Sequence, residues 1–451
     1  MPIANIIGVI VIFGIAVLLS ENRSAINFKS AGRTLALQFG IAVLALMVPV
    51  GLWLHKVFFG ANNIVVTDAG ATLAQKASGT EACLYNGVLK CVTDGVTSII
   101  KFSDKGSDFV FGPLAHQENG FILAFQVFPI IIFIATVFAM LFHLRIMDVI
   151  IKFLGGIVRK ITGASRLEST VSAASIFVGM VEAPLAILPY LKKMTRSQLF
   201  TVMSCGMASI AGTVLVVYIS LGVDGRLLLI ASFMAAPGGL LMGKLLVPET
   251  ETPFDIASFD KGKEDEEGRA TNLIEAATTG ALTGLEIMLN VIAVIIAFVA
   301  VIAMVDALFG TLGGLVGYPD FSLAVVFGYV FAPIAWLIGV PSSEVLSAGP
   351  FLGQKLIANE FLAYLNFTKD MANFSTQAQI AITVALCGFA NFVGVGILMA
   401  GLGAVVPERK KEISKMGMKA LLAGSLSNFM SAALVGIVIW IAALMHLNPL
   451  G

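Results

Sequence analysis

Long apolar segments, each of about 20 residues and so long enough to cross a bilayer as a helix, follow one another through most of the chain. Among 451 residues, 58% are hydrophobic and 12% are charged, and the mean hydropathy is +0.94. Soluble domains carry about 25% charged residues, so this composition excludes a water-soluble fold. We therefore predict an all-α polytopic membrane protein.

Basic loops between the apolar segments indicate their orientation. Arg23, Lys29 and Arg33 separate the first two segments, and short basic loops stay in the cytoplasm. Basic clusters after residue 142 and around Arg409 agree with this orientation. The sequence predicts eight transmembrane helices and two re-entrant helical hairpins, with both termini outside, on the periplasmic side. The eight spans are predicted at residues 3–20, 35–54, 121–142, 200–221, 227–246, 287–309, 380–400 and 421–445.

Two apolar runs are interrupted by prolines, glycines and acidic residues. Glu168 to Tyr190 contains Glu182, and Val340 to Asn366 contains Glu360. An ionisable group at membrane depth costs roughly 2.5–3.5 kcal/mol or more, and broken backbone is tolerated only beside protein or a watery cavity. Such a pair, one in each half, indicates an inverted-repeat transport core with both acids facing one wet chamber. A simple loop or a kinked span is the alternative reading.

A break rich in small residues follows each hairpin, at residues 208–212 and 389–394. Unwound helix ends expose backbone groups that bind polar solutes or cations. A carboxylate at the same depth suits a vicinal diol such as that of ribose, because hydrogen bonds to charged groups are worth roughly 1.5–3 kcal/mol. On this chemistry alone a sugar, an amino acid or a small vitamin also fits.

The sequence contains no zinc-type Cys/His spacing, Walker loop, haem motif or nucleophile elbow. We therefore expect no cofactor and no enzymatic activity; an intramembrane enzyme using Glu182 and Glu360 as an acid/base pair is a remote alternative. The formal net charge is +0, and without a basic face nucleic acid is not an expected partner. Cys83 and Cys91 lie in a predicted external segment, either as a disulfide or as two free thiols.

The second hairpin carries a motif of fixed spacing that resembles the signature of concentrative nucleoside transporters. It reads GQKLIANEFLAY from Gly353 to Tyr364. Segments GMVEAPL at 179–185, ASIAGTV at 208–214, CGFANF at 387–392 and GLGAVVPER at 401–409 are also similar to that family. The resemblance covers nearly the whole chain apart from the external insertion.

This resemblance implies a secondary active nucleoside importer of the bacterial plasma (inner) membrane. It implies a homotrimer in lipid, whose hairpin core moves between inward and outward positions in an elevator-type motion. Glu360 and Asn391 would hold the ribose hydroxyls, and Glu182 would face the base. The implied substrate-binding residues are Gly179, Met180, Val181, Glu182, Val214, Glu360, Phe389, Asn391 and Gly394.

Three positions depart from the family pattern. Met180 and Val181 stand where relatives usually carry Gln and then Ser or Thr, and neither side chain can hydrogen-bond a base. Purine or pyrimidine preference is therefore open, and a modified nucleoside or another small polar solute is an alternative. Gly394 stands where a hydroxyl often assists ribose binding.

The coupling ion depends on one further position. Ser175 stands where sodium-coupled relatives carry Asn, and serine there is similar to proton-coupled members. We therefore favour H⁺ over Na⁺, although an all-oxygen sodium site is still possible. Its candidate ligands are Ser175, Val178, Ser209 and Ile210.

These features divide the chain into eight parts. The parts are two spans at 1–57, the external insertion and interfacial segment at 58–117, a third span and basic connection at 118–167, the first hairpin with the following spans at 168–246, an acidic cytoplasmic loop at 247–286, a scaffold span and interfacial segment at 287–340, the second hairpin with the broken helix at 341–405, and a basic loop with the last span at 406–451.

Overall fold

The computed structural model describes residues 2–47, 88–116, 120–255, 270–315, 317–318 and 320–445, where all regular structure is helical. This confirms the all-α class. Cys83 and residues 256–269 of the predicted acidic loop lie outside the described residues. The helices are α1 (Pro2–Leu18), α2 (Phe28–Met47), α3 (Val88–Phe111), α4 (Leu123–Gln126), α5 (Pro129–His143), α6 (Ile146–Thr162), α7 (Arg166–Ala174), α8 (Glu182–Leu185), α9 (Arg196–Ala208), α10 (Gly212–Ser220), α11 (Gly225–Leu246), α12 (Leu273–Leu315), α13 (Leu323–Leu337), α14 (Val345–Ile357), α15 (Glu360–Asp370), α16 (Thr376–Leu386), α17 (Phe392–Val405) and α18 (Lys410–Leu444).

Several helical segments have the length and apolarity needed to cross a membrane. Within the described residues there are five, some of them joining consecutive helices: Leu123–His143, Arg196–Ser220, Gly225–Leu246, Leu273–Leu315 and Pro407–Leu444. Shorter apolar helices include Leu323–Leu337 and Phe392–Val405. The total of eight spans stays a prediction.

The centre of the protein is formed by α9, α11 and α18, which pack on one another. Gly239 of α11 faces the backbone of α9, where a Cβ in its place would lie 2.7 Å from the Cys205 Cα. Small residues at such contacts let helices in a bilayer approach closely. Cys205 and Cys387 are buried free thiols.

Helix α12 lies at the periphery. It packs against α5, yet only 6% of its most apolar window is buried. Leu282, Leu289 and Ile296 are among its exposed side chains. This face requires lipid or another protein chain, because no soluble protein exposes so long an apolar surface. The helix also begins at Leu273, inside the segment predicted as the acidic loop.

The first hairpin differs from a pair of regular helical arms. Its first arm, α7, begins with a capping box in which Ser165 and Glu168 satisfy each other's backbone N–H. Its return arm contains only α8, followed by a 3₁₀ turn at Leu188–Tyr190. Pro184 and Pro189 account for the difference, since proline lacks the N–H that a continuing helix uses.

The two predicted breaks are present, and they touch each other. One separates α9 from α10 and the other separates α16 from α17. The Phe389 N–H donates to the Ser209 carbonyl at 3.0 Å, and the Asn428 amide of α18 donates to the Ala208 carbonyl at 2.7 Å. Gly388 permits this contact, because a Cβ there would lie 2.6 Å from the Ala208 oxygen. The two halves of the chain therefore meet at their unwound segments.

A charged cluster joins the first interhelical loop to the central helices. The Glu21 carboxylate accepts hydrogen bonds from Arg196 at 2.9 and 3.2 Å and from Lys419 at 3.0 Å. The hydrogen bond from Arg196 lowers the pKa of the Glu21 carboxyl below its ordinary value. The loop is thereby held against α9 and α18.

Candidate functional site

Glu360 lies at the beginning of a short helix within the second hairpin. Asn359 caps that helix, α15, by accepting the Leu362 N–H at 2.9 Å. The partial positive charge of a helix N-terminus stabilises a carboxylate in the first turn. Glu360 is only 4% exposed, so its negative charge depends on this helix end and on hydrogen bonds.

Two side chains from other helices hold the Glu360 carboxylate. The Tyr218 hydroxyl of α10 donates to Oε1 at 3.1 Å, and the Asn391 amide donates to Oε2 at 2.8 Å. Asn391 also caps α17 by accepting the Gly394 N–H at 2.6 Å. Because each carboxylate oxygen can accept about two hydrogen bonds, both oxygens retain capacity for a ligand.

Tyr218 was not among the residues predicted from the sequence. Its ring packs on Tyr364 with centroids 4.5 Å apart, and Tyr364 in turn donates to the Thr383 carbonyl at 2.6 Å. A tyrosine in an apolar helix usually has a hydrogen-bond partner for its hydroxyl, which was an available signal. The identity of that partner, 142 positions away, could not be read from the sequence.

A single cavity of about 1510 Å³ brings the predicted substrate residues together. It also extends along α12 past Glu286 and Asn290, and along α6 past Lys152 and Arg159. Its wall therefore combines both hairpins and both breaks with peripheral helices. All nine predicted residues line it, namely Gly179, Met180, Val181, Glu182, Val214, Glu360, Phe389, Asn391 and Gly394.

The two acids share this cavity but differ in burial. Glu360 is buried, whereas Glu182 is exposed at the cavity surface. The Glu182 carboxylate folds back over Gly179, where an added Cβ would collide with its Oε2. Both acids therefore face one cavity, as expected, and the irregular return arm leaves Glu182 on its open wall.

The tip of the first hairpin is fixed by apolar packing. Met180 is 7% exposed and packs on Gly206 of α9. Val181 packs on Gly401 of α17, at a spot where an added Cβ would lie 2.7 Å from its methyl groups. Both side chains fill the space between helices, so the tip offers the cavity an apolar surface.

The predicted cation ligands lie at the edge of the cavity and behind it. Val178 lines the cavity, while Ser175, Ser209 and Ile210 are fully buried. The Ser175 hydroxyl donates to the Ser172 carbonyl at 2.9 Å, and the Ser209 hydroxyl donates to the Gly206 carbonyl at 3.1 Å. Each hydroxyl proton is thus used within its own helix, which leaves the oxygen lone pairs as acceptors.

Comparison with known proteins decides the family. Residues 7–74 match the profile described as "Na+ dependent nucleoside transporter N-terminus", residues 124–224 match "Nucleoside recognition", and residues 227–436 match the corresponding C-terminus. "Nucleoside permease NupC" of Helicobacter pylori is 37% identical over 450 residues, covering 97% of this chain and 98% of the permease. The chain belongs to the concentrative nucleoside transporter family.

Solved structures of CNTnw have the same architecture. An inward-facing, substrate-bound state matches with a TM-score of 0.84 and 38% identity, covering 98% of this chain and 99% of CNTnw. A variant in an outward-facing state matches with a TM-score of 0.84 and 38% identity over 98% of each chain. The protein is thus a helical membrane protein of a transporter family, not of an enzyme family.

Proposed function

We propose that this protein imports nucleosides across the bacterial plasma membrane, driven by a cation gradient. The observation that carries the proposal is the Glu360 carboxylate, which Tyr218 and Asn391 orient while both oxygens retain acceptor capacity toward the cavity. Two hydroxyls of one ribose can each donate to such a carboxylate, and each charged hydrogen bond is worth roughly 1.5–3 kcal/mol.

The remaining wall suits an aromatic base. Val214 and Phe389 supply apolar surface, and Met180 and Val181 extend it across the cavity. Small-ligand sites are mostly apolar with a few polar groups that fix orientation, and Glu182 is the polar group here. Because the hairpin tip carries no amide or hydroxyl at 180 and 181, a modified nucleoside or another small polar solute is the second candidate substrate.

An elevator-type movement of the hairpin core completes the proposal. Arg409, in the turn that follows α17, donates to the Leu191 and Met194 carbonyls at 3.2 and 2.6 Å, so both halves of the core are joined. The cavity reaches Lys152 and Arg159 in the connection predicted to be cytoplasmic, which supports an inward-open arrangement. CNTnw has both inward-facing and outward-facing structures.

We infer that protons are the coupling ion, in preference to sodium. The matching profiles are named for Na⁺ dependence, but Ser175 contributes only one short side-chain oxygen. Hard cations such as Na⁺ need several oxygen ligands, and serine provides less reach than the asparagine of sodium-coupled relatives. If sodium is the coupling ion instead, it would bind to the four candidate ligands Ser175, Val178, Ser209 and Ile210.

Ser175→Asn is expected to introduce sodium stimulation of uptake, because its amide oxygen supplies the missing ligand. Where the unaltered protein responds to sodium at all, half-saturation of Ser175→Asn should come at about a tenfold lower sodium concentration, because one further oxygen ligand contributes roughly as much as one hydrogen bond. Thr170→Asn, on the same helix α7, is the control and should leave the sodium response unchanged. Identical sodium curves for Ser175→Asn and the unaltered protein would contradict a deciding role of this position.

A homotrimer in the inner membrane, with both termini periplasmic, belongs to the same proposal. The exposed apolar face of α12 supports it, since a second chain and lipid together can cover a surface that this chain leaves open. Native mass spectrometry of the solubilised protein measures the subunit number directly.

Uptake into proteoliposomes tests the proposed function. Labelled uridine and adenosine should accumulate unchanged above the outside concentration when an inward proton gradient is imposed, and less when only a sodium gradient is imposed. A chemically altered product would identify an enzyme instead, and accumulation of other polar solutes in place of both nucleosides would favour the second candidate.

A further inference from the structure

Lys355 is a buried cation to which the proposed transport cycle gives no role. It is 2% exposed. Its ammonium donates to the Ala385 carbonyl and to the Asn428 side-chain oxygen, both at 2.7 Å, and lies 5.9 Å from the centre of the Phe429 ring. All three ammonium protons therefore have an acceptor or an aromatic face nearby.

Lys355 contacts the end of one broken helix directly and the end of the other through Asn428 of α18. Ala385 lies in the last turn of α16, where carbonyls lack helical partners and carry the negative end of the helix dipole. Asn428 accepts a hydrogen bond from Lys355, and its amide donates to the Ala208 carbonyl at the end of α9. One ammonium thus connects both breaks through a single side chain.

The two halves of the core differ in the charge that lies beside the break. In the first hairpin, residues 168–191 contain no lysine or arginine, and Ser175 and Ser209 offer neutral oxygens. In the second hairpin, a cation of the chain itself lies against a helix C-terminus. Carbonyl ends of broken helices are the groups that coordinate coupling cations in transporters, so the two halves supply complementary arrangements.

We propose that the Lys355 ammonium is a resident cation of the second break, occupying the place that a free cation would otherwise take there. It is a positioning residue: by holding Ala385 and Asn428 it sets Glu360 and Phe389 in the geometry that receives the nucleoside. The proposal rests on the proposed nucleoside transport for its uptake readout, but not for its stability readout.

Amine rescue tests it. Lys355→Ala removes a propylammonium-sized group and leaves its space, whereas Lys355→Met fills that space with neutral atoms. Both variants should lose at least about tenfold of the uridine uptake, since a charged hydrogen-bond network is broken. Millimolar n-propylammonium should restore Lys355→Ala but leave Lys355→Met unchanged, and 1-propanol, of similar shape and no charge, should restore neither.

Stability gives the second readout. Purified Lys355→Ala should melt at a higher temperature with n-propylammonium than with 1-propanol in the absence of nucleoside. Equal effects of amine and alcohol, or unaltered uptake by Lys355→Met, would overturn the proposal. If Lys355→Ala does not insert, the amount of the variant in the membrane is compared after growth with the amine and with the alcohol. A larger amount with the amine supports the proposal, and equal amounts overturn it. A lack of uptake by the unaltered protein would instead refute the proposed function and leave the melting comparison intact.

Discussion

Glu360→Gln is expected to abolish ribonucleoside uptake while the protein still inserts into the membrane. The amide keeps the shape of the side chain but loses the charge, and one of its ends becomes a donor facing Tyr218 or Asn391, which already donate. Loss of two charged hydrogen bonds to ribose, each roughly 1.5–3 kcal/mol, corresponds to about a hundredfold or greater fall in uptake efficiency. Initial rates of uridine and adenosine uptake measure it.

Glu344→Gln is the matched control on the same hairpin. Its carboxylate accepts bonds from Ser375 at the exposed end of α16, and a glutamine oxygen can accept the same bonds. Uptake by this variant should stay within about twofold of that by the unaltered protein, because exposed polar contacts contribute little. Normal uptake by Glu360→Gln would refute the assignment of the ribose to Glu360.

Gly388→Ala is expected to destabilise the whole core. The added methyl group would lie 2.6 Å from the Ala208 carbonyl oxygen and would also collide with Asn428. Both neighbours are fixed, one as backbone and the other by its hydrogen bonds to Lys355 and Ala208. Overpacking at such a site costs about 1–3 kcal/mol, so the melting temperature in detergent and nucleoside uptake should both fall.

Gly396→Ala provides the comparison for this effect. Gly396 lies in α17, close in sequence to the same break, and an added Cβ would have open space within 4 Å. Alanine is the better helix former by up to about 1 kcal/mol, so this variant should melt no lower than the unaltered protein. Equal melting of the two variants would mean that the contact between the breaks is not tight.

The positions of the site residues along the chain could be predicted because they coincide with violations of membrane rules. Glu360 and Asn391 are polar groups among apolar residues, and Gly388 and Asn391 mark a break in an otherwise apolar helix. These local signals are strong because each has a large energetic cost in a bilayer. They placed both residues on what proved to be one cavity.

What could not be predicted depends on contacts between distant segments. Tyr218 approaches Glu360 across 142 positions, and Asn428 approaches Ala208 across 220. Nothing local distinguishes these residues from other polar groups in apolar helices. The short, irregular return arm that carries Glu182 also escaped prediction; Pro184 and Pro189 interrupt its helix.

The hydrogen bond between Ser209 and Phe389 has a thermodynamic consequence. The peptide group of Ser209 lies among the candidate ion ligands, and its carbonyl accepts the N–H of a residue that borders the nucleoside cavity. An ion that orders this peptide group therefore orders part of the solute's binding surface as well. By reciprocity, an ion bound there would raise the affinity for the solute by the same factor by which the solute raises the affinity for the ion, typically 5- to 150-fold.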